Sequence, residues 1–522
     1  MNEDRFEQAV RLSHSLGETR IGPRTLFDGL RFGQEISLWQ VVAPYLALYR
    51  FPLLFSNGGG SPWRERLRYA VRPYRGLAAR FRDSVISPPR RTAAACEQWP
   101  EEGGRTILFL GFVPTFYRDV LRPVAEALAA RESMRAVVIG EGRNMPPGIP
   151  DNGSVRFQSL WDHWDTAVDA SARLMASRLR IFQKSFFHNG WDKLMRNSVG
   201  TGDAFGLTSE FRWLFRREFR RLIPQAAVAE HILQRHRPSL IVSADDADQR
   251  CRIYSLLARE KGIPSLLVQQ GLTERKYPEW KFFSQTAVAA MGSRSRDVMI
   301  AQGVPPEKIA LTGHPGFDSL ALPEPDLRAR VRADMELSQG RKMILLVSQP
   351  YYAGVFNTPH IRREMLRGII RACGSLEDVI LAVKPHPGED SRELKELIGT
   401  ASNIVMVDRT MDIVPLVKAC DVVITFFSTV ALQALYAGRP VVNVAFPGSG
   451  GQTLYEESGA TWVARSTNEI IAHIRTLTGK NTNQAIASRE EARERFLREM
   501  VYLPDGRATE RVVRLALDML GG

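Results

Sequence analysis

The chain has little cysteine. Its four residues, Cys96, Cys251, Cys373 and Cys420, form no CxxC pair and no short-spaced cluster. That scatter excludes a disulfide framework and the ligand spacing of a structural zinc site, and it suits a reducing compartment. Long apolar runs are also missing. The nearest, LWQVVAPYLALYRFPLLF at 38–55, is broken by Gln40, Pro44, Arg50 and Pro52. It reads as an interfacial segment, short of the about 18 uninterrupted apolar residues of a membrane span. The opening MNEDRFEQAVRLSHSLGETR has neither the basic start nor the apolar centre of a secretory signal. A cytoplasmic location is therefore expected. Zinc-finger spacing, RNA-recognition aromatic motifs and basic low-complexity arms are absent as well, so no nucleic-acid partner is expected.

Positive charge is present in excess. Lys and Arg number 70 against 57 Asp and Glu, a formal net charge of +13, which favours an anionic partner. The excess concentrates in RERLRYAVRPYRGLAARFRD (64–83) and FRWLFRREFRRLI (211–223). As a helix, the second stretch puts Phe211, Leu214, Phe215, Phe219 and Leu222 on one stripe beside Arg212, Arg216, Arg217, Arg220 and Arg221. Such a helix either lies on a membrane surface or packs into a core and leaves a basic edge in solvent. The sequence allows both.

The rest of the chain alternates strand and helix. Residues 1–104 read as a helical extension ending in a polar linker, SPPRRTAAACEQWPEEGG. RTILFLGFVP and MRAVVIGEGR are buried-strand patterns separated by an amphipathic helix, the signature of a parallel α/β unit. Residues 155–237 read as a helical insertion rather than sheet. The alternation returns at PSLIVSADDADQR (238–250) and runs to TGHPGFDSL (312–320), so 105–320 form one doubly wound domain. A second series, from KMILLVSQPYY through DVVITFFSTVALQALYAGRPVVNVAF, makes 321–500 another. Residues 501–522 form a C-terminal helix. The expected fold class is α/β, two Rossmann-like doubly wound parallel-sheet domains facing a cleft, with the helical extension and the helical insertion added.

Ligands of such sheets bind at the carboxyl ends of the strands, so the strand-end loops carry the chemistry. In the first domain they are 111–115, 140–143, 243–250, 269–275 and 313–319; in the second, 348–352, 384–389, 408–412 and 427–429. One of them, in LAVKPHPGED (381–390), holds Lys384 and His386 among prolines that fix the backbone. Two donors on a stiff strand exit suit a phosphate or carboxylate. Ser428 and Thr429 open a helix, where hydroxyls and free N–H groups serve either as a cap or as an anion site.

KPHP after a strand, FSTVALQALYAGRPVV late in the second domain, SQP opening it and TGHPGFDSL closing the first together resemble the GT-B glycosyltransferases of bacterial capsule, lipopolysaccharide and other surface polysaccharides. This group includes the Kdo transferases, the GT-B sialyltransferases and the polyol-phosphate transferases. The resemblance covers about 105–500. It implies a GT-B enzyme that moves a sugar from a nucleotide-activated donor, of the CMP-Kdo or UDP-sugar kind, to a growing surface glycan or its lipid-linked acceptor. It implies no metal and no cofactor beyond the nucleotide-sugar co-substrate. His386 would contact the donor's phosphate or sugar carboxylate with Lys384 nearby. Gln349, Pro350, Ser428 and Thr429 would complete the donor site. Gln433 stands where many GT-B enzymes have a Glu on the nucleotide ribose, a departure that leaves the nucleotide open. A lipid-linked acceptor implies peripheral contact with an anionic membrane at its inner face.

Sugar transfer needs a base for the acceptor or a carboxylate nucleophile. The candidates are Glu141, Asp245, Asp246 and His386. The Asp-x-Asp of SADDADQR is also a helix N-terminus that favours acidic residues. Two other activities share the scaffold. A non-hydrolysing UDP-GlcNAc 2-epimerase typically has two glycines after the serine at position 428, where Thr429 and Val430 stand. A catalytically inactive carbohydrate-binding protein would not need intact Lys384, His386, Ser428 and Thr429.

Overall fold

The computed structural model describes residues 4–21, 24–32, 36–52, 104–142, 155–191, 204–273, 277–337, 340–351, 356–386, 388–426, 428–449 and 453–521. The basic stretch 64–83 and Cys96 lie outside them. The chain divides into two compact units: residues 1–290 with 295–311 and 509–522, and residues 291–294 with 312–508.

In the first unit, two short antiparallel pairs come first: β1 Arg20–Ile21 with β2 Arg24–Thr25, and β3 Arg31–Phe32 with β4 Ile36–Ser37. The main strands are β5 Arg105–Leu110, β6 Met134–Gly140, β7 Val155–Ser159, β8 Leu240–Ser243, β9 Ser265–Val268, β10 Ala287–Ala290 and β11 Ile309–Leu311. They line up as β11-β10-β9-β8-β5-β6-β7 with every neighbouring pair parallel. Strands such as ILFL and AVVI are apolar on both faces because helices cover both faces of a parallel sheet. On one face lie the helix Arg122–Ala129 and the C-terminal helix Ala508–Met519, whose Val512, Val513 and Ala516 join the core around Ile107, Val242 and Ala289.

The opposite face is covered by the extension and the insertion together. Leu16, Trp39, Val42, Leu46 and Phe51 share one apolar cluster with Phe186, Phe211, Phe215, Leu222 and the sheet residues Leu108, Ile139 and Ile241. Trp39 stacks on Phe211 at 5.9 Å, and Arg50 forks onto Glu210 with two 2.7 Å hydrogen bonds. The extension is thus part of the first unit's core.

One expectation is corrected, and one open alternative is decided for a core helix with a basic edge. Val155–Ser159, read as the start of a helical insertion, is β7, the edge strand paired in parallel with β6; its half-exposed burial pattern is that of a strand at a sheet edge. The segment 211–223 is not a membrane-surface helix with its apolar stripe outward. Phe211, Leu214, Phe215, Phe219 and Leu222 are all fully buried, and only the arginine edge, Arg212, Arg216 and Arg220, is exposed. An aromatic stripe of that size is worth more against the sheet than at a lipid surface.

The second unit has six parallel strands: β12 Lys342–Val347, β13 Val379–Lys384, β14 Ile404–Met406, β15 Val422–Thr425, β16 Val441–Val444 and β17 Trp462–Ala464, ordered β14-β13-β12-β15-β16-β17. The order reverses about β12, as it does about β5 in the first unit. These reversals are where open α/β sheets bind ligands. Cys251, Cys373 and Cys420 are buried and unbridged.

Candidate active site

The four strands β14-β13-β12-β15 are neighbours, so the loops leaving their carboxyl ends lie side by side: Asp408–Arg409, Lys384–Glu389, Ser348–Pro350 and Ser428. Pro387 and Phe427 lie outside the described residues. The sequence-derived donor residues Gln349, Pro350, Lys384, His386, Ser428 and Thr429 are thereby brought to one sheet edge.

Each has a defined local role. Ser428 is the N-cap of the helix Thr429–Tyr436; its Oγ accepts the N–H of Val430 at 3.2 Å, and its carbonyl accepts the Tyr455 hydroxyl at 2.8 Å. Gln433 lies one turn on, and its Oε1 is buried with no partner among the described residues. Buried Lys384 donates to the carbonyls of Asp408 (2.9 Å) and Arg409 (2.7 Å), so its ammonium ties two loops together. Burial lowers its pKa, with Asp408 and Asp412 opposing. His386 is half-buried, and its Nδ1 accepts the Gly388 N–H at 3.0 Å, which places the proton of the neutral ring on Nε2. Burial pushes the imidazole pKa down and the Glu389 carboxylate resists it.

Sequence reasoning included Ser348, Glu389 and Arg409 in these loops without giving them a role, and it missed Arg362. Ser348, Arg362, Glu389 and Arg409 form a connected set with the side chains of Arg362 and Glu389 5% and 3% exposed. Glu389 has a local signal, standing three residues past His386. Arg362, from the helix Pro359–Gly374, has none.

In the first unit, Glu141 follows β6 and Asp245 and Asp246 follow β8, flanking β5 at the order reversal. Asp246 is fully engaged: it pairs with Arg252 at 3.3 Å and accepts from Ser284 Oγ (2.9 Å), the Ser284 N–H (3.2 Å) and Gln285 Nε2 (3.2 Å). Arg252 continues to the Gln40 carbonyl at 2.8 Å, which ties the network to the extension. Glu141 and Asp248 share Arg250, at 2.5 and 2.6 Å, and Asp248 caps the helix Gln249–Glu260. Asp245 differs. Its Oδ1 accepts only backbone N–H groups, those of Ala247 (2.8 Å) and Asp248 (3.1 Å), and no cation pairs with it among its described bonds. Burial, with Asp248 beside it, pushes its pKa up to about 7. Of the acidic candidates, Asp245 has the proton affinity of a base working near neutrality. Asp318, beside His314, instead receives the Ala508 N–H at 2.9 Å, a structural contact.

Residues 298–518, a span containing all four of these second-unit loops, match the model of a family described as CDP-glycerol:poly(glycerophosphate) glycerophosphotransferase. No curated protein matches the chain. Among solved structures, an S. aureus MnaA–UDP co-structure aligns with a TM-score of 0.50 at 12% identity, over 80% of this chain and 98% of that one. A UDP-GlcNAc 2-epimerase from Methanocaldococcus jannaschii aligns at 0.49 and 13%, over 80% and 100%. A variant of the wall teichoic acid polymerase TagF aligns at 0.46 and 13%, over 88% and 98%. At 12% identity the likeness to the first of these speaks for the fold alone, two doubly wound parallel-sheet α/β domains of the GT-B kind. In sequence, the second unit is similar to the polyol-phosphate branch of the surface-polymer transferases.

Proposed function

We propose that the protein transfers a polyol-phosphate or sugar unit from a nucleotide-activated donor, foremost a CDP-polyol, to a growing bacterial surface glycan or its lipid-linked acceptor. The observation that carries this reading is the match of 298–518, whose span includes His386, Ser428 and the loops beside them. For a CDP-polyol donor, an acceptor hydroxyl attacks the distal phosphorus, the bond to the bridging oxygen breaks, and CMP leaves. In the first unit, Asp245 is the carboxylate suited to take an acceptor's proton. His386, through Nε2–H, and the helix start at Ser428 and Thr429 steady the charge that grows on the phosphates. Gln349, Pro350 and Gln433 line the nucleotide side. Glu141 and Asp246, held by Arg250 and Arg252, shape the acceptor side without exchanging protons.

Membrane contact belongs to the same proposal. Among the described residues no helix is long and apolar enough to cross a membrane. The helix Thr166–Ser185 instead exposes Leu174 and Ile181 among arginines, a face suited to an anionic bilayer surface.

The testing experiment is a thermal-shift and transfer screen with CDP-glycerol, CDP-ribitol, CMP-sugars, UDP-sugars and the free nucleotides. A ligand of the native state raises the melting temperature. CDP-polyols should stabilise the protein and release CMP with an acceptor present. Stabilisation by UDP-sugars alone would turn the reading to sugar transfer, and no response to any donor would overturn it.

A further inference from the structure

Glu389 closes the loop after β13, and Arg362 comes from the helix Pro359–Gly374. Their charged groups meet directly, in surroundings that leave both side chains almost wholly buried. Their other described bonds go to a loop or its support. Arg362 Nε donates to the Gln349 carbonyl at 2.7 Å, and Nη1 to Glu393 at 2.6 Å. Glu389 Oε1 also accepts the Ser348 hydroxyl at 2.9 Å, and Oε2 accepts the backbone N–H of His386 at 3.2 Å. From the loop after β14, Arg409 Nη2 donates to the Glu389 carbonyl at 2.5 Å, while Lys384 holds that loop's backbone. The ion pair thus anchors the loops that follow β12 and β13, and the loop after β14 joins them through the Glu389 backbone and Lys384.

Stability alone does not account for such a pair. Removing two charges from water offsets most of their attraction, and apolar residues of the same volume often serve a core as well or better. What a forked guanidinium and a carboxylate supply is direction: five fixed donors and two acceptor oxygens that specify where each loop backbone must lie.

We propose that the Glu389–Arg362 pair is the positioning element of this site, fixing Gln349 and His386 at the strand ends and holding the His386 ring as the tautomer protonated on Nε2. The charged groups of the bonded set next to His386 are Glu389, Arg362, Glu393 and Arg409, with Lys384 tied to the Asp408 and Arg409 carbonyls, and Glu389 is the one that acts on the ring. Burial disfavours the imidazolium and Glu389 favours it. Neutralising Glu389 while Arg362 stays charged therefore lowers the His386 pKa further. The catalytic consequence rests on the transfer reading; the effect on the ring does not.

The test uses the full chain with labelled histidine, the His386 signal being assigned by its loss in His386→Ala. In the wild type, the nitrogen shifts should report an unprotonated Nδ1 at neutral pH. A predominant Nδ1–H tautomer would overturn the proposal without any further variant. Glu389→Gln should move the His386 titration midpoint to lower pH. An unchanged midpoint in a folded variant would also overturn it. Arg362→Lys keeps the charge but loses the fork, and should lower kcat about 100-fold, the scale set by ångström-sized misplacement of a reacting group, with KM for the donor changing less. Wild-type turnover in Arg362→Lys would show that the fork positions nothing. If no donor turns over in the wild type, the transfer reading fails while both ring measurements still decide this one.

Discussion

Lys384 and Asp408 are joined by the ammonium of one and the backbone carbonyl of the other, at 2.9 Å, with the Arg409 carbonyl taking a second bond at 2.7 Å. In the sequence this lysine reads as a charge offered to a ligand. In the fold it is buried, and two of its three donors are used on the next loop. Lys384→Met should leave those carbonyls in search of partners and destabilise the second unit by about 2 kcal/mol, the usual consequence of orphaning buried polar groups. Chemical denaturation of the variant measures this. A loss of donor affinity with unchanged stability would instead return Lys384 to a direct role.

Asp245 gives two predictions of opposite sign. As a base it must be ionised, so turnover should fall as pH drops through about 7, and Asp245→Asn should lower kcat at least about 100-fold. For stability, the folded pKa lies above the unfolded value near 3.9. The unfolded chain then releases its proton first, and the carboxyl lowers stability increasingly from about pH 4 to about pH 7. At pH 8 Asp245→Asn should melt higher than the wild type. A variant that is inactive and also less stable at pH 8 would mark Asp245 as a structural residue.

The buried pair His163 and His236 should set the first unit's acid limit. Their rings meet edge to face at 5.4 Å, and His163 Nε2 pairs with Gln158 at 2.9 Å. Burial, followed by neighbouring cations, pushes their pKa values down to about 3 and about 4. Both groups are neutral in either state above the unfolded value near 6.5, so they have no effect there. As pH falls below it, the unfolded chain binds protons that the native state refuses. Stability then declines by at most about 1.4 kcal/mol per pH unit for each ring. His163→Phe should flatten this acid limb between pH 6 and 4 in urea titrations.

How much of this was legible in the sequence follows from range. Strands such as ILFL, AVVI and VILAV announce themselves by apolar runs, and KPHP and FSTV mark loops by local backbone chemistry, so the two-sheet architecture and the grouping of these loops at one sheet edge could be read directly. β7 could not: five residues at a sheet edge, three of them half-buried, carry little periodicity, and a long helical stretch follows them. The stripe at 211–223 was recognisable as amphipathic, but what it faces depends on Trp39 and Phe51, about 160 residues away. Arg362, and what sets Asp245 apart from the other acidic candidates, were hidden for the same reason. One acts through residues 27 and 31 positions away, and the other is singled out from Asp246 and Asp248 only by the arginines those two have and it lacks.

Those arginines also bear on metal dependence. Asp246 and Asp248 are the residues a divalent ion would take from SADDADQR, and their carboxylates are bound to Arg252 and Arg250. Activity with a purified donor should be unchanged in EDTA. A loss restored by Mg²⁺ or Mn²⁺ would require both pairs to open.

The membrane face carries the last prediction. With the 211–223 stripe buried, its arginines offer charge without an apolar anchor. The helix Thr166–Ser185 offers both. Its core side is Val168, Ala172, Met175 and Leu179. On the other side Leu174 and Ile181, seven residues apart and so on one face, are 54% and 67% exposed. Arg178 lies between them, Arg180 and Lys184 are exposed on the flank, and Arg173 pairs with Asp169, the helix's one acidic residue. A bilayer with anionic headgroups accepts both components: about 1 kcal/mol for each cation near the surface, and the burial of two aliphatic side chains at the acyl boundary. The protein should co-sediment with phosphatidylglycerol vesicles at low ionic strength and largely leave them at high salt. Leu174→Asp with Ile181→Asp should abolish binding at any salt, because the apolar anchor is lost and two like charges face the lipid. Arg178→Gln with Arg180→Gln should shift the salt midpoint lower. Arg221, which bonds Glu218 and Gln249 inside the first unit, is unsuited to this test, since changing it would disturb the core rather than the surface. Unaltered vesicle binding in the double aspartate variant would exclude this helix as the contact.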